Sequence, residues 1–106
     1  MIQLNDIREI ANRIGAAFDP AQIVLFGSHA YGTANDASDV DLLVVTDQSG
    51  KPRDIGVEMW SFAKPSFPLD IVVRRPEEVR RRYTEWDPLI RSALDKGVVL
   101  YERDSG

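Results

Sequence analysis

Residues 22–45 read QIVLFGSHAYGTANDASDVDLLVV: an apolar run from Ile23 to Phe26 ends on Gly27-Ser28, and ten residues later Asp39-Val40-Asp41 opens a second apolar run, Val40 to Val45. Short apolar runs of this kind, closed by glycine and polar residues, are the signature of buried strands. Side chains two apart on a strand point to the same face, so the carboxylates of Asp39 and Asp41 project together from one end of the sheet. Two uncompensated carboxylates placed this way repel and raise one another's pKa. A cation between them relieves the conflict. Magnesium suits it, being a hard ion that takes one or two carboxylates plus substrate phosphates. The turn at Gly27-Ser28 supplies the complement, with backbone N–H groups and a hydroxyl where a phosphate can rest. The two halves together predict a metal-dependent nucleotide site.

Helix and strand signals alternate on both sides of this stretch. Ile7, Ile10, Ala11 and Ile14 fall at helical spacing and predict an amphipathic helix over residues 5–17, capped by Asn5 and broken at Asp19-Pro20. Strand 22–26 is followed by a short helix from Ser28 to about Gly32, a polar loop over 33–38, and strand 39–46. Gln48 to Pro52 is a turn cluster that leads into a helix over 53–63, with Ile55, Met59, Trp60 and Phe62 as its apolar members. Lys64 to Pro68 is a second break before strand 69–74. Pro76-Glu77-Glu78 opens a helix running to about Tyr83, as proline in a first turn often does. Asp87-Pro88 starts the last helix, with Gly97 where a C-terminal cap falls, and Val98–Tyr101 forms a final strand. The alternation predicts an α/β (α+β) fold, a mixed sheet with flanking helices. At 106 residues, with no linker, repeat or low-complexity segment, the chain is expected to be one domain over 1–106.

Composition narrows the classes. Hydrophobic residues at 43% allow a core without staples, and the absence of cysteine excludes disulfides and thiolate metal sites, in keeping with a reducing cytoplasm. The N-terminal stretch MIQLNDIREIANRIG mixes charges into its apolar residues, unlike a signal peptide. No run of eighteen apolar residues exists to span a membrane. A net charge of −4 argues against nucleic acid as a direct substrate. A P-loop is excluded because Thr33-Ala34 stands where Lys-Ser/Thr would be needed. One histidine without cysteine cannot build the usual zinc sites.

The stretch also resembles the signature of the polymerase-beta-like nucleotidyltransferases, and the short chain resembles their smallest branch, the minimal nucleotidyltransferases of prokaryotes. Gly27-Ser28, Asp39-Val40-Asp41 and Leu42-Leu43-Val44-Val45 carry the likeness, which spans about residues 5–100. It implies a third carboxylate on a later strand, and Asp70 in Pro68-Leu69-Asp70-Ile71-Val72-Val73 fits that place. It further implies that Gly27 and Ser28 contact the terminal phosphates of a nucleotide and that Asp39, Asp41 and Asp70 hold two Mg²⁺ ions, with Asp70 helping to activate the attacking hydroxyl. His29 follows the Gly-Ser pair where many relatives carry arginine or an aromatic, and is a candidate phosphate contact whose charge changes near pH 6.5. Tyr31 also stands where relatives are often basic. Arg74, Arg75 and Arg80–Arg82 form a basic cluster, read either as a solvated helix face or as a triphosphate clamp or docking patch. Trp60 and Trp86 are expected in the core or at an interface.

The resemblance implies an antitoxin that transfers AMP from ATP to a tyrosine of a small helical HEPN-type toxin, which would explain a catalytic core that carries no acceptor domain of its own. Two rivals stand beside it. One is a non-catalytic module that blocks a partner sterically; the other is a nucleotidyltransferase acting on a small molecule, as with aminoglycosides.

Overall fold

Alternation of apolar side chains along four short strands sorts them onto two covered faces. The computed structural model describes residues 2–104. In chain order these form α1 (Leu4–Phe18), β1 (Gln22–Phe26), α2 (Ser28–Tyr31), β2 (Val40–Val45), α3 (Pro52–Ala63), β3 (Leu69–Arg74), α4 (Pro76–Thr84), α5 (Pro88–Lys96) and β4 (Val98–Glu102). The sheet has the order β3-β2-β1-β4. β1 pairs antiparallel with β2 and β4, whereas β2 and β3 run parallel. The sheet is therefore mixed, and α3 is the crossover that a parallel pair requires.

One face carries Ile23, Leu25, Leu42 and Val44, packed with Ile7, Ile10 and Ile14 of α1 and Ile55 and Met59 of α3. The other carries Val24, Leu43 and Val45, packed with Val79 of α4 and Ile90 and Ala93 of α5. β2 is central and covered on both faces, which is why its sequence is apolar almost without interruption. Among the described residues no helix is long and apolar enough to cross a membrane.

Prolines 52, 76 and 88 each occupy the first turn of a helix, where the missing N–H costs nothing. Asp87 caps α5 by accepting from the amides of Leu89 and Ile90 at 3.0 and 3.2 Å. The Ile90 amide and the Arg82 guanidinium hold its carboxyl below the ordinary carboxylate range. One expectation needs correction. Asn5 is not a cap: α1 starts earlier, and the amide of its N-cap Gln3 donates to the Asp6 carboxylate at 3.2 Å. Gly97 is the C-cap of α5, as expected, in an extended conformation. Glycine suits it because a Cβ would overlap the carbonyl oxygens of Ala93 and Leu25.

The inward residues of α3 are Ile55, Met59 and Ala63, four apart. Trp60 and Phe62 are 48% and 44% exposed, so neither belongs to the core. Trp86 is also outside it; its ring stacks on Arg91, whose guanidinium carbon lies 3.7 Å from the ring centres of both Trp86 and Tyr83. The basic cluster takes the first of its two readings, a solvated face whose arginines pair locally. Arg74 pairs with Glu78 at 3.1 Å, Arg82 with Glu78 and Asp87 at 3.3 and 2.9 Å, and Arg81 with Glu85 at 3.7 Å. Arg75 donates to the carbonyls of Gln48 and Gly50 at 3.2 and 2.8 Å, pinning the turn between β2 and α3.

Candidate active site

Strand register brings two of the acids together. Asp41 lies opposite Phe26 on β1 and opposite Asp70 on β3. Register partners in a sheet share a face, and Asp39, two residues ahead of Asp41, approaches from that same side. Asp41 is half-buried, while Asp39 and Asp70 are exposed. Burial first, then the charges of Asp70 and Asp39, push the Asp41 carboxyl above its ordinary range, with His29 acting in the opposite direction. The three acids thus share one electrostatic field. Asp41 stands at its centre.

Gly27 closes the other side. Its backbone (φ 77°, ψ −161°) lies in a region that only glycine occupies comfortably, and a Cβ there would overlap Oδ2 of Asp41. The missing side chain is what lets the turn after β1 pass beside this carboxylate. Gly27, not Ser28, is the N-cap of α2; Ser28 is the first residue of the helix. Gly32, the C-cap, also has a positive φ of 79°, but its Cβ would meet nothing within 4 Å. This difference yields a controlled pair. Gly27→Ala and Gly32→Ala should each lose about 1–3 kcal/mol to backbone strain, whereas only Gly27→Ala should also weaken divalent-ion binding, by turning Asp41 aside. Calorimetric titration with Mn²⁺ beside thermal melts separates the two effects. Equal ion affinity in both variants would confine Gly27 to folding.

The two positions where relatives are often basic are tied up in hydrogen bonds to backbone carbonyls. The half-buried His29 ring donates from Nε2 to the Ser38 carbonyl at 3.2 Å. The Tyr31 hydroxyl donates to the Ser92 carbonyl at 3.1 Å and meets the Ser92 hydroxyl, joining α2 to α5. Sequence reasoning missed both ties, because their partners lie in a loop and in a helix remote in sequence. Asp70 also lines a surface groove of about 480 Å³ between α3 and β3, with Gly56, Val57 and Trp60 on its helical wall.

The donor set formed by Asp39, Asp41 and Asp70 consists of carboxylate oxygens, the chemistry preferred by a hard divalent cation. Among the described residues no three acidic or imidazole side chains already converge into a complete metal cage. That is compatible with magnesium, which keeps several waters and takes its remaining ligands from substrate phosphates. The space a Cβ would fill at Gly27, against Asp41 Oδ2, is of the kind such a complex needs. The residues fit the ion.

Comparison with known proteins agrees with this geometry. The nucleotidyltransferase domain family matches residues 5–100, and the chain belongs to it. A candidate nucleotidyltransferase from Sulfolobus solfataricus has a similar structure, with a TM-score of 0.66 and 24% identity over 97% of this chain and 83% of that one. A toxin–antitoxin structure with AMP-PNP gives a TM-score of 0.59 and 21% identity, covering 95% and 76% of the two chains. A mutant of the toxin–antitoxin MntA–HpeT gives 0.54 and 17%, covering 97% and 75%. At these identities the likenesses to solved structures establish the fold. No curated protein matches the chain in sequence.

Proposed function

We propose that this nucleotidyltransferase moves AMP from ATP to a side-chain hydroxyl of a partner protein, a tyrosine of a small helical toxin of the HEPN type, and so acts as an antitoxin. The observation that carries the reading is the in-register placement of Asp41 and Asp70, with Asp39 beside them and the Gly27 turn against Asp41. Asp39 and Asp41, with Asp70, would hold two Mg²⁺ ions, and Gly27 and Ser28 would receive the terminal phosphates. When bound, the ions stabilise charge on the attacking and leaving oxygens. The acceptor oxygen attacks the α-phosphorus, the bond to the β-phosphate bridge breaks, pyrophosphate leaves, and Asp70 takes the hydroxyl proton. Exposure of Asp70 at the edge of the sheet, beside the α3–β3 groove, suits an acceptor arriving from outside. A fold neighbour crystallised as a toxin–antitoxin with AMP-PNP supports both a protein partner and an adenine nucleotide.

Steric blocking without catalysis is the second reading, favoured by the commitment of His29 and Tyr31 to backbone carbonyls at positions where relatives are often basic. One experiment separates the two. The chain is incubated with its co-purifying helical partner, ATP and magnesium, and the partner is weighed intact. One or more added AMP masses are expected; a tight complex with no change in mass would leave only blocking.

A further inference from the structure

The loop that delivers Asp39 is a small self-bonded unit. The Asn35 amide donates to the Ser38 hydroxyl at 2.9 Å, the Ala37 amide to the Asn35 side-chain oxygen at 2.8 Å, and the Ser38 amide to the Asn35 carbonyl at 3.0 Å. These bonds shape residues 35–38. The two peptide groups that flank Asp39 are tied to the body of the molecule. On the N-terminal side, the Ser38 carbonyl accepts from His29 Nε2 at 3.2 Å. On the C-terminal side, the Val40 amide donates to the Pro68 carbonyl at 2.9 Å, just ahead of β3. Asp39 is itself exposed, so no packing fixes its place. These two anchors hold the backbone on either side of it.

We infer that His29 is a positioning residue: by holding the Ser38 carbonyl it sets Asp39 beside Asp41 for the divalent ion, and it does not itself bind the nucleotide. This rests on the nucleotidyltransferase reading of the site. Several features support it. The donating nitrogen is already committed to a backbone carbonyl. The ring also lines a hollow against the start of α1, with Ile2, Leu4 and Ile7 opposite, so one side of it faces an apolar wall. His29 lies on the same four-residue helix whose N-cap, Gly27, abuts Asp41. The helix thus joins the two carboxylates of the β2 motif, touching one through Gly27 and steering the other through His29. Groups that orient metal-ligating side chains from outside the ligand set typically change metal affinity 10–100-fold when removed.

The test uses His29→Leu, which keeps bulk but cannot donate, and His29→Gln, whose amide nitrogen can reach the same carbonyl. Each is titrated with Mn²⁺ in the presence of a non-hydrolysable ATP analogue, and amide hydrogen exchange is followed over residues 35–40. His29→Leu should weaken Mn²⁺ binding about 10-fold or more and speed exchange in that loop while the core remains protected. His29→Gln should recover most of both. Unchanged ion affinity and loop protection in His29→Leu would overturn the inference. So would a His29→Gln variant that restores the loop but still fails to bind the analogue, since the ring would then contact the nucleotide directly. An unsubstituted chain that binds neither ion nor analogue would refute the nucleotidyltransferase reading, and the positioning role with it; that failure is recognised because it appears before any substitution is made.

Discussion

Replacing Asp39 and Asp41 together by asparagine is expected to abolish nucleotidyl transfer and, in metal-free buffer at neutral pH, to raise the melting temperature. The activity loss should be on the order of 10³-fold or more, because preorganised electrostatic stabilisation is usually the largest single contribution to catalysis. The stability gain follows from the environment of Asp41, whose carboxyl is pushed above its ordinary range by burial and by Asp70 and Asp39. A carboxyl raised on folding costs stability once it ionises. Well below the ordinary value of 3.8 it is protonated in both folded and unfolded chains and costs nothing. As the pH climbs through the folded value the penalty develops, and at neutral pH it is complete. Asparagine carries no such penalty, so the gap in melting temperature between variant and parent should be open at neutral pH and narrow on acidification. The gap will be modest, since Asp41 is only half-buried and water screens its neighbours. Melts across a pH series in metal-free buffer check this. A variant that transfers normally with magnesium would remove these residues from the site, and a lower melting temperature at neutral pH would contradict the proposed repulsion.

Asp70→Asn should separate turnover from binding. Asp70 faces Asp41 across the parallel pair yet is exposed on the outer strand and borders the α3–β3 groove. Loss of a general base lowers rates by roughly 10²–10⁴-fold, and asparagine retains the shape without the capacity to take a proton. The expected signature is a fall of that size in kcat with nucleotide affinity close to that of the parent. Equal damage to both would move Asp70 to the triphosphate side, and a near-normal kcat would exclude it from the chemistry.

Much of this was legible in sequence for a physical reason. β1, β2 and β3 are apolar runs bounded by glycine, proline and polar residues, and strand spacing alone places Asp39 and Asp41 on one side. The facing of Asp41 and Asp70 was not legible, because register between β2 and β3 is a long-range pairing across the whole of α3. The α3 residues teach a different lesson. Ile55, Met59 and Ala63 already showed the spacing of a buried stripe, which leaves Trp60, expected in the core or at an interface, and Phe62 on the outer side of the helix. Glu78 with Arg82 and Arg81 with Glu85 are each four apart along α4 and its cap, so part of this pairing was visible in sequence, whereas Arg74 reaches Glu78 from the end of β3. His29 and Tyr31 lay beyond sequence reasoning, since a carbonyl acceptor in a loop leaves no mark on composition or spacing.

The sheet order has one further consequence. β2 has a hydrogen-bonded strand on either side, while β3 is the end of the sheet and has only β2. Proteins open locally in units of unequal cost, and outer elements part from the body before central ones do. The candidate site is therefore divided between two tiers of stability, with Asp41 on the element that opens last and Asp70 on one that can leave earlier. On the proposed roles, grip on the nucleotide and competence to use it would be properties of different strands, and the molecule could lose the second while keeping the first.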